Sequence, residues 1–242
     1  MRKKACFNLL VFAMFALLIL FGTSCSKDKE DKIDYYSEIG QDFVGFLRSH
    51  AWHISVYATE DEEDSSRLNL EVYAANYAEH VPYTDDFYMS VNGNEIAGLG
   101  WWDESFQELS FQNISIAKGE KVKVVFKHND EIIIDKTVKV PAIPAFTEVP
   151  NNPDFDQDLS FNWELSKNSD LQSIMIWASA YNVHTRTYVL APETCSFTLP
   201  ADTIVPQHGS SVKNWGMQNS QYNIVESGNC VLFACTRIID NR

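Results

Sequence analysis

The spacing of apolar residues changes character several times along this chain. From Leu9 to Phe21 it is a continuous apolar run. Between Ser37 and Leu47 the apolar residues Ile39, Phe43, Phe46 and Leu47 fall at helical spacing, with Ser37 as a cap. Gly40 and Gly45 weaken that helix, so a first strand is the competing reading. After Ala51 the period becomes two. Trp52, Ile54 and Val56 lead, and Leu68, Leu70, Val72 and Ala74 alternate with Asn69, Glu71 and Tyr73 as a half-buried strand does. Met89 and Val91 run into Asn92-Gly93, the strongest short hairpin signal, and Ile96 starts the return. Leu109, Phe111 and Ile114 predict another strand. Lys121 to Phe126 alternates clearly, turns at His128-Asn129-Asp130 and returns through Ile132-Ile133-Ile134 to Val138 and Val140.

Pro141, Pro144, Pro150 and Pro153 then interrupt the pattern, and proline cannot donate to a sheet. Residues 141–153 therefore read as a stiff linker. Beyond it Leu159, Phe161, Trp163 and Leu165 alternate against Ser160, Asn162 and Glu164. Further strands are predicted at 174–178, 188–190, 195–199, 222–225 and 230–238, with Gly228-Asn229 as the last hairpin turn. Residues 200–220 are polar and read as loop-rich. The fold class that follows is all-β: one sandwich over 51–140 and another over 154–242. Strand number and spacing resemble tandem immunoglobulin-like or fibronectin-III-like sandwiches.

The first 31 residues carry a different message. Arg2, Lys3 and Lys4 precede the apolar run, and Gly22-Thr23-Ser24 and Cys25 follow it. Positive start, apolar stretch and small residues are the build of a secretory signal. With cysteine next, the stretch resembles the lipobox of bacterial lipoproteins, in its looser Bacteroidota form because Gly22 stands where Leu is usual. The resemblance implies that residues 1–24 are removed and that Cys25 is lipidated. Residues 25–50 then hold the lipidated cysteine, a charged tether and a lead-in. Ser26 to Asp31 resembles the acidic tract of surface-exported members, which implies an outer-membrane anchor exposed at the cell surface. Gly22-x-Ser24 also fits an ordinary cleavage site that would leave a secreted protein, and the run is short for a retained span of ~20 residues.

Removal of residues 1–24, with three basic residues and no acid, takes the formal charge from −14 to −17. Such acidity argues against nucleic acid, whose phosphates need a basic footprint. Three cysteines remain after Cys25, at 195, 230 and 235, so at most one internal bridge can form. Within one strand Cys230 and Cys235 face opposite sides ~17 Å apart and cannot bridge each other. Buried thiols are the competing reading.

No G-x-S-x-G, H-E-x-x-H, phosphate loop or dinucleotide fingerprint is present, and the six histidines are scattered. A non-enzymatic protein is expected. Asp154-x-Asp156-x-Asp158 is the candidate metal site, a structural calcium at the linker, because alternate aspartates can aim oxygens at one hard cation. Leu159 and Leu165 stand where an EF-hand loop needs Gly and Glu, so that pattern fails and a solvated turn competes. Trp101-Trp102, with Asp103 and Glu104, is the candidate ligand site. Adjacent strand residues face opposite sides, so one indole can sit in the core while the other meets a sugar ring or a partner. Both indoles packed under loops is the alternative. Trp163 and Trp177 read as core, and Trp215 as a weaker surface candidate. The functional expectation is a lipid-anchored envelope protein that binds a glycan or a protein partner, with a structural spacer or accessory subunit of an envelope assembly as the alternative.

Overall fold

The computed structural model describes residues 38–78, 81, 86–103, 108–151, 153–164, 169–179, 183–204 and 214–241. The leader and Cys25 lie outside them. The helical spacing prevails over the strand alternative: α1 spans Glu38–Arg48. Its Phe43, Phe46 and Leu47 lie at i, i+3 and i+4, and Leu47 packs with Val231 and Phe233. Gly45 borders open space, so nothing in the packing requires a glycine there. The exposed carbonyls at the helix end are satisfied locally. Ser49 Oγ donates to the Phe46 carbonyl at 2.6 Å, and His53 Nε2 meets the Leu47 and His50 carbonyls at 3.0 and 3.2 Å.

Everything else is strand and loop. One nine-stranded sheet contains β1 (Trp52–Glu60), β2 (Arg67–Asn76), β5 (Gly98–Asp103), β6 (Glu108–Phe111), β7 (Ile114–Ala117), β12 (Leu171–Ser179), β13 (Val183–Leu190), β15 (Asn214–Ser227) and β16 (Cys230–Asn241). Its order is β13-β12-β15-β16-β1-β2-β6-β5, with β7 on a second stretch of β2. A four-stranded sheet holds β3 (Phe87–Val91), β4 (Asn94–Glu95), β8 (Lys121–His128) and β9 (Glu131–Lys139) in the order β4-β3-β8-β9. A third sheet has β11 (Leu159–Trp163) between β10 (Phe146–Glu148) and β14 (Ser196–Leu199).

The layers follow from alternation. Ile54, Val56 and Ala58 of β1 lie on the same face as Leu70, Val72 and Ala74 of β2, and this face packs on Val122, Val124 and Phe126 of β8. At the other end Ile174 and Ile176 of β12 pack on Phe161 and Trp163 of β11 and Leu199 of β14. The protein is therefore an all-β sandwich structure with two large apolar cores, and two smaller apolar clusters gather around Tyr57, Tyr73 and Tyr222 and beneath α1.

The halves are also fused. β1 pairs in parallel with β16, from Trp52 opposite Cys230 to Ala58 opposite Thr236. Cys230, Leu232 and Ala234 complete the core of the first half. Both the nine-stranded sheet and the first core thus draw on residues from either side of 141–153. The linker also holds a short strand, β10, where prolines predicted none.

The polar region 200–220 departs from its reading as loop, because β15 already begins at Asn214. Its inward residues change partners as the strand passes between the cores. Trp215 and Met217 face the second core. Asn219, Gln221 and Asn223 then line a polar seam, where Gln221 Nε2 donates to Asn219 Oδ1 and to Gln172 Oε1, both at 2.8 Å. Asn223 Nδ2 donates to the Lys139 carbonyl at 2.7 Å, and Thr236 Oγ1 of β16 donates to the Ala142 carbonyl at 3.0 Å. The polar side chains inside this strand are held chiefly by one another and by Gln172 of β12, and Asn223 by the last carbonyl of β9.

Candidate binding site

The strand β5 forms one end of the nine-stranded sheet, and it is irregular. Gly98 faces Phe111 of β6 and Gly100 faces Ser110; Trp101 faces Leu109 and Asp103 faces Glu108. Leu99 and Trp102 are thus extra residues, two bulges in a six-residue strand. Bulges bend an edge and re-aim its side chains. The strict alternation expected of Trp101 and Trp102 is broken at Trp102 itself. The side chains of Trp101, Trp102 and Asp103, and all of Glu104, lie outside the described residues. Leu99 is 67% exposed, the most exposed large apolar side chain among the described residues.

Opposite Asp103 stands Glu108, which sequence reasoning missed. Leu109 and Phe111 turn into the first core, so Glu108 and Ser110 lie on the other face of the sheet, an ordinary solvent pattern. That face is covered instead, and Glu108 is only 3% exposed. The available signal was the aromatic residues on the same face of neighbouring strands, Tyr57 on β1 and Tyr73 on β2, followed by Tyr77. The Tyr57 and Tyr73 rings meet edge to face at 5.9 Å.

Burial pushes the Glu108 carboxyl up to about 7 from 4.5. It makes no hydrogen bond or ion pair among the described residues. Its neighbours answer with the same sign. Burial first, and the Glu108 charge second, hold the Tyr77 phenol well above its usual range. Tyr73 is raised likewise, by burial and then by Glu71 and Glu108. The guanidinium on this face is engaged elsewhere: Arg237 Nη2 is 3.9 Å from Glu71 Oε2, and Arg237 lies 5.6 Å over the Tyr57 ring.

A stability effect follows. The folded state keeps the Glu108 proton where the unfolded chain has released it. This contribution is therefore fully present below pH ~4.5 and is lost as pH rises through about 7. A shift of about 2.5 units at ~1.36 kcal/mol each gives a loss of up to ~3 kcal/mol. Glu108→Gln should remove most of that dependence and stand above wild type in denaturant melts at pH 8. Equal pH profiles for the two proteins would contradict it.

The other candidates are not assembled into sites. Asp154 Oδ1 accepts from the Asp156 amide at 3.2 Å, and Asp158 Oδ1 from the Ala201 amide at 2.8 Å. These aspartates shape a turn that seats Phe155 against Trp215. Among the described residues no three His, Cys, Asp or Glu side chains are arranged to hold a metal ion, so Asp154, Asp156 and Asp158 do not converge as calcium ligands. Cys195, Cys230 and Cys235 are free thiols. Cys230 faces the first core and Cys235 the opposite face, as their spacing predicts. Burial pushes both thiols up to about 12, the range of inert structural cysteines.

His53 is pushed down to about 4, chiefly by burial, and serves the helix end. His128 stacks on Phe87 at 5.2 Å. Trp163 and Trp177 are buried as expected. Trp215 is buried too, against its reading as a surface residue, because β15 places it in the second core.

No family model matches the chain, and no curated protein matches it. Among solved structures it is similar to the FN1–FN3 domains of chicken CNTN1, at 10% identity and a TM-score of 0.26, over 77% of this chain. The chain spans 62% of the length of that structure. It is also similar to a cytokine receptor complex, at 9% identity and a TM-score of 0.25, over 76% of this chain and 94% of that one. Similarity this loose adds nothing to the sandwich class defined by the strand order and the two cores.

Proposed function

We propose that this chain is a lipid-anchored protein of the outer membrane, exposed at the cell surface, that binds a glycan or protein partner without catalysing a reaction. The anchoring rests on the order of basic start, apolar run, small residues and Cys25. Binding rests on one observation: a twice-bulged edge strand carries Trp101, Trp102 and Asp103 beside the buried Glu108. Bulges cluster at sheet edges and beside functional sites, and a buried, perturbed carboxyl marks the same place.

Cys25→Ser should abolish labelling by a fatty-acid probe and move the protein to the soluble fraction. Label retained by the variant, or wild type found soluble, contradicts the anchor. For binding, wild type, Trp101→Ala and Trp102→Ala should be compared on a glycan array and in capture from envelope extracts. At least one variant should lose a wild-type ligand while its denaturant midpoint stays close to wild type. If both variants instead lose roughly 3–5 kcal/mol of stability, the indoles are core and the site reading falls. A spacer role then takes its place.

A further inference from the structure

We propose that the outer face of the four-stranded sheet docks an acidic polysaccharide along a row of lysines on β8 and β9. This surface lies apart from the β5–β6 edge, and the proposal goes beyond the binding reading above without depending on it. The chain carries a formal charge of −14, yet six of its 19 basic residues, Lys118, Lys121, Lys123, Lys127, Lys136 and Lys139, fall between 118 and 139. Alternation sorts them. Val122, Val124 and Phe126 of β8 turn into the first core, so Lys121, Lys123 and Lys127 share the opposite face. Lys139 of β9 stands opposite Lys121 and joins that face.

The face is open to solvent. Lys121, Lys123 and Lys139 are exposed, and Lys127 is half-buried with its ammonium 5.2 Å from the centre of the Tyr88 ring. Successive residues on one strand face stand ~7 Å apart, so Lys121 to Lys127 spans ~20 Å. The acids on the same face are Asp135 of β9, 3.0 Å from Lys123 Nζ, and Glu95 of β4, opposite Ser90 of β3. Four ammonium groups thus stand against two carboxylates. A positive surface persists on a chain whose total charge is strongly negative, and its complement is an anion.

The kind of anion follows from the layout. Lysines in a row present charge along a line rather than around a point, which suits a polymer whose own charges repeat. The acidity of the whole chain disfavours nucleic acid. An anionic membrane is disfavoured by Asp130 and Glu131, which stand at the β8–β9 hairpin tip beside Ile132. A sugar polymer is favoured over an acidic peptide by the end of the row nearest that tip. There Tyr88, Lys127 and Ile132 lie side by side across three strands, and Ile132 is 58% exposed. A phenol ring with an aliphatic neighbour offers the C–H face of a sugar a place to rest while lysines hold its acid groups.

Biolayer interferometry on the purified protein tests this with four probes: polygalacturonate, neutral dextran, polyglutamate and phosphatidylglycerol vesicles. At ~20 mM salt polygalacturonate should bind and dextran should not, and binding should weaken at ~150 mM because exposed charges are screened. Lys121→Gln combined with Lys127→Gln should weaken binding by about tenfold or more. The charge-matched control is Lys118→Gln with Lys136→Gln. Lys118 pairs with Glu60, and Lys136 stands opposite the inward Val124, so both lie off this face. That control should stay within about twofold of wild type. Asp135→Asn removes an opposing acid, frees Lys123 and should tighten binding. All of these are surface positions, so the thermal transition should hold in every variant.

Equal losses in the two double variants would mean that net charge rather than this face does the binding, and would overturn the proposal. Polyglutamate bound as tightly as polygalacturonate overturns the sugar assignment. Vesicles bound in place of polygalacturonate overturn it in favour of a membrane contact. Silence from polygalacturonate at ~20 mM salt overturns it outright. The array and capture comparison tests the β5–β6 edge on a different sheet, so the two readings fail separately.

Discussion

Cut at the linker, this protein should yield two fragments that do not fold. Residues 38–150 retain the four-stranded sheet but lose β16, the parallel neighbour of β1 along seven register pairs. They also lose Cys230, Leu232 and Ala234, all within 1% of complete burial. Residues 151–241 keep β16 but expose those same side chains. Leu232 alone contributes roughly 1.5–3 kcal/mol by burial. A whole central strand therefore approaches the ~5–15 kcal/mol that holds a typical domain together. Circular dichroism should show one cooperative transition for the intact chain and none for either fragment, with recovery on mixing. A protease nick within 141–158 should leave the pieces associated, because Asn223 and Thr236 grip the linker on both sides of Pro141. Two fragments that each melt cooperatively would contradict the shared sheet.

The second large effect is expected at Gln172, which is fully buried at the seam. Its Oε1 accepts from Trp163 Nε1 at 3.0 Å and from Gln221 Nε2 at 2.8 Å. Its Nε2 donates to the Ala191 and Thr194 carbonyls at 2.7 and 2.6 Å. Gln172→Leu keeps the approximate volume and orphans up to four polar groups at once. Each costs roughly 1–3 kcal/mol when buried without a partner, so the loss should reach about 4 kcal/mol or more. Gln221 retains its bond to Asn219 Oδ1 at 2.8 Å, which makes the Trp163 N–H and the two carbonyls the main casualties. The denaturant midpoint should fall sharply with an unchanged slope. A loss under about 1 kcal/mol would show that water or rearrangement satisfies the seam.

These polar interiors mark where the sequence was least legible. Local rules did well where one residue pair decides the geometry. Asn92 and Gly93 take φ of 50° and 79°, and Asn129 and Asp130 take 48° and 66°, so both hairpins turn where the sequence puts them. Alternation likewise located the strands whose second face is polar. It failed on β15, where Asn219, Gln221 and Asn223 are buried against Gln172 and the Lys139 carbonyl rather than an apolar layer, and inward polarity reads as loop. The shared sheet was hidden because its defining contact, β1 on β16, joins residues almost at the two ends of the described chain. Glu108 was hidden because a polar residue alternating with Leu109 and Phe111 looks solvated. The bulges at Leu99 and Trp102 depend on pairing with β6 and leave no local signal beyond the glycines.

The site rests on Glu108 being buried with no hydrogen bond or ion pair among the described residues, and its own titration measures that most directly. With glutamate labelled at the side-chain carboxyl carbon, and Glu108→Gln used to assign the resonance, the carboxyl shift can be followed from pH 3 to 9 in the folded protein. The midpoint should lie near 7, well above the 4.5 of a free carboxyl. A midpoint at or below 4.5 would mean that Glu108 is hydrated or already paired with a cation, and the case for a binding site at this end of the sheet would be lost.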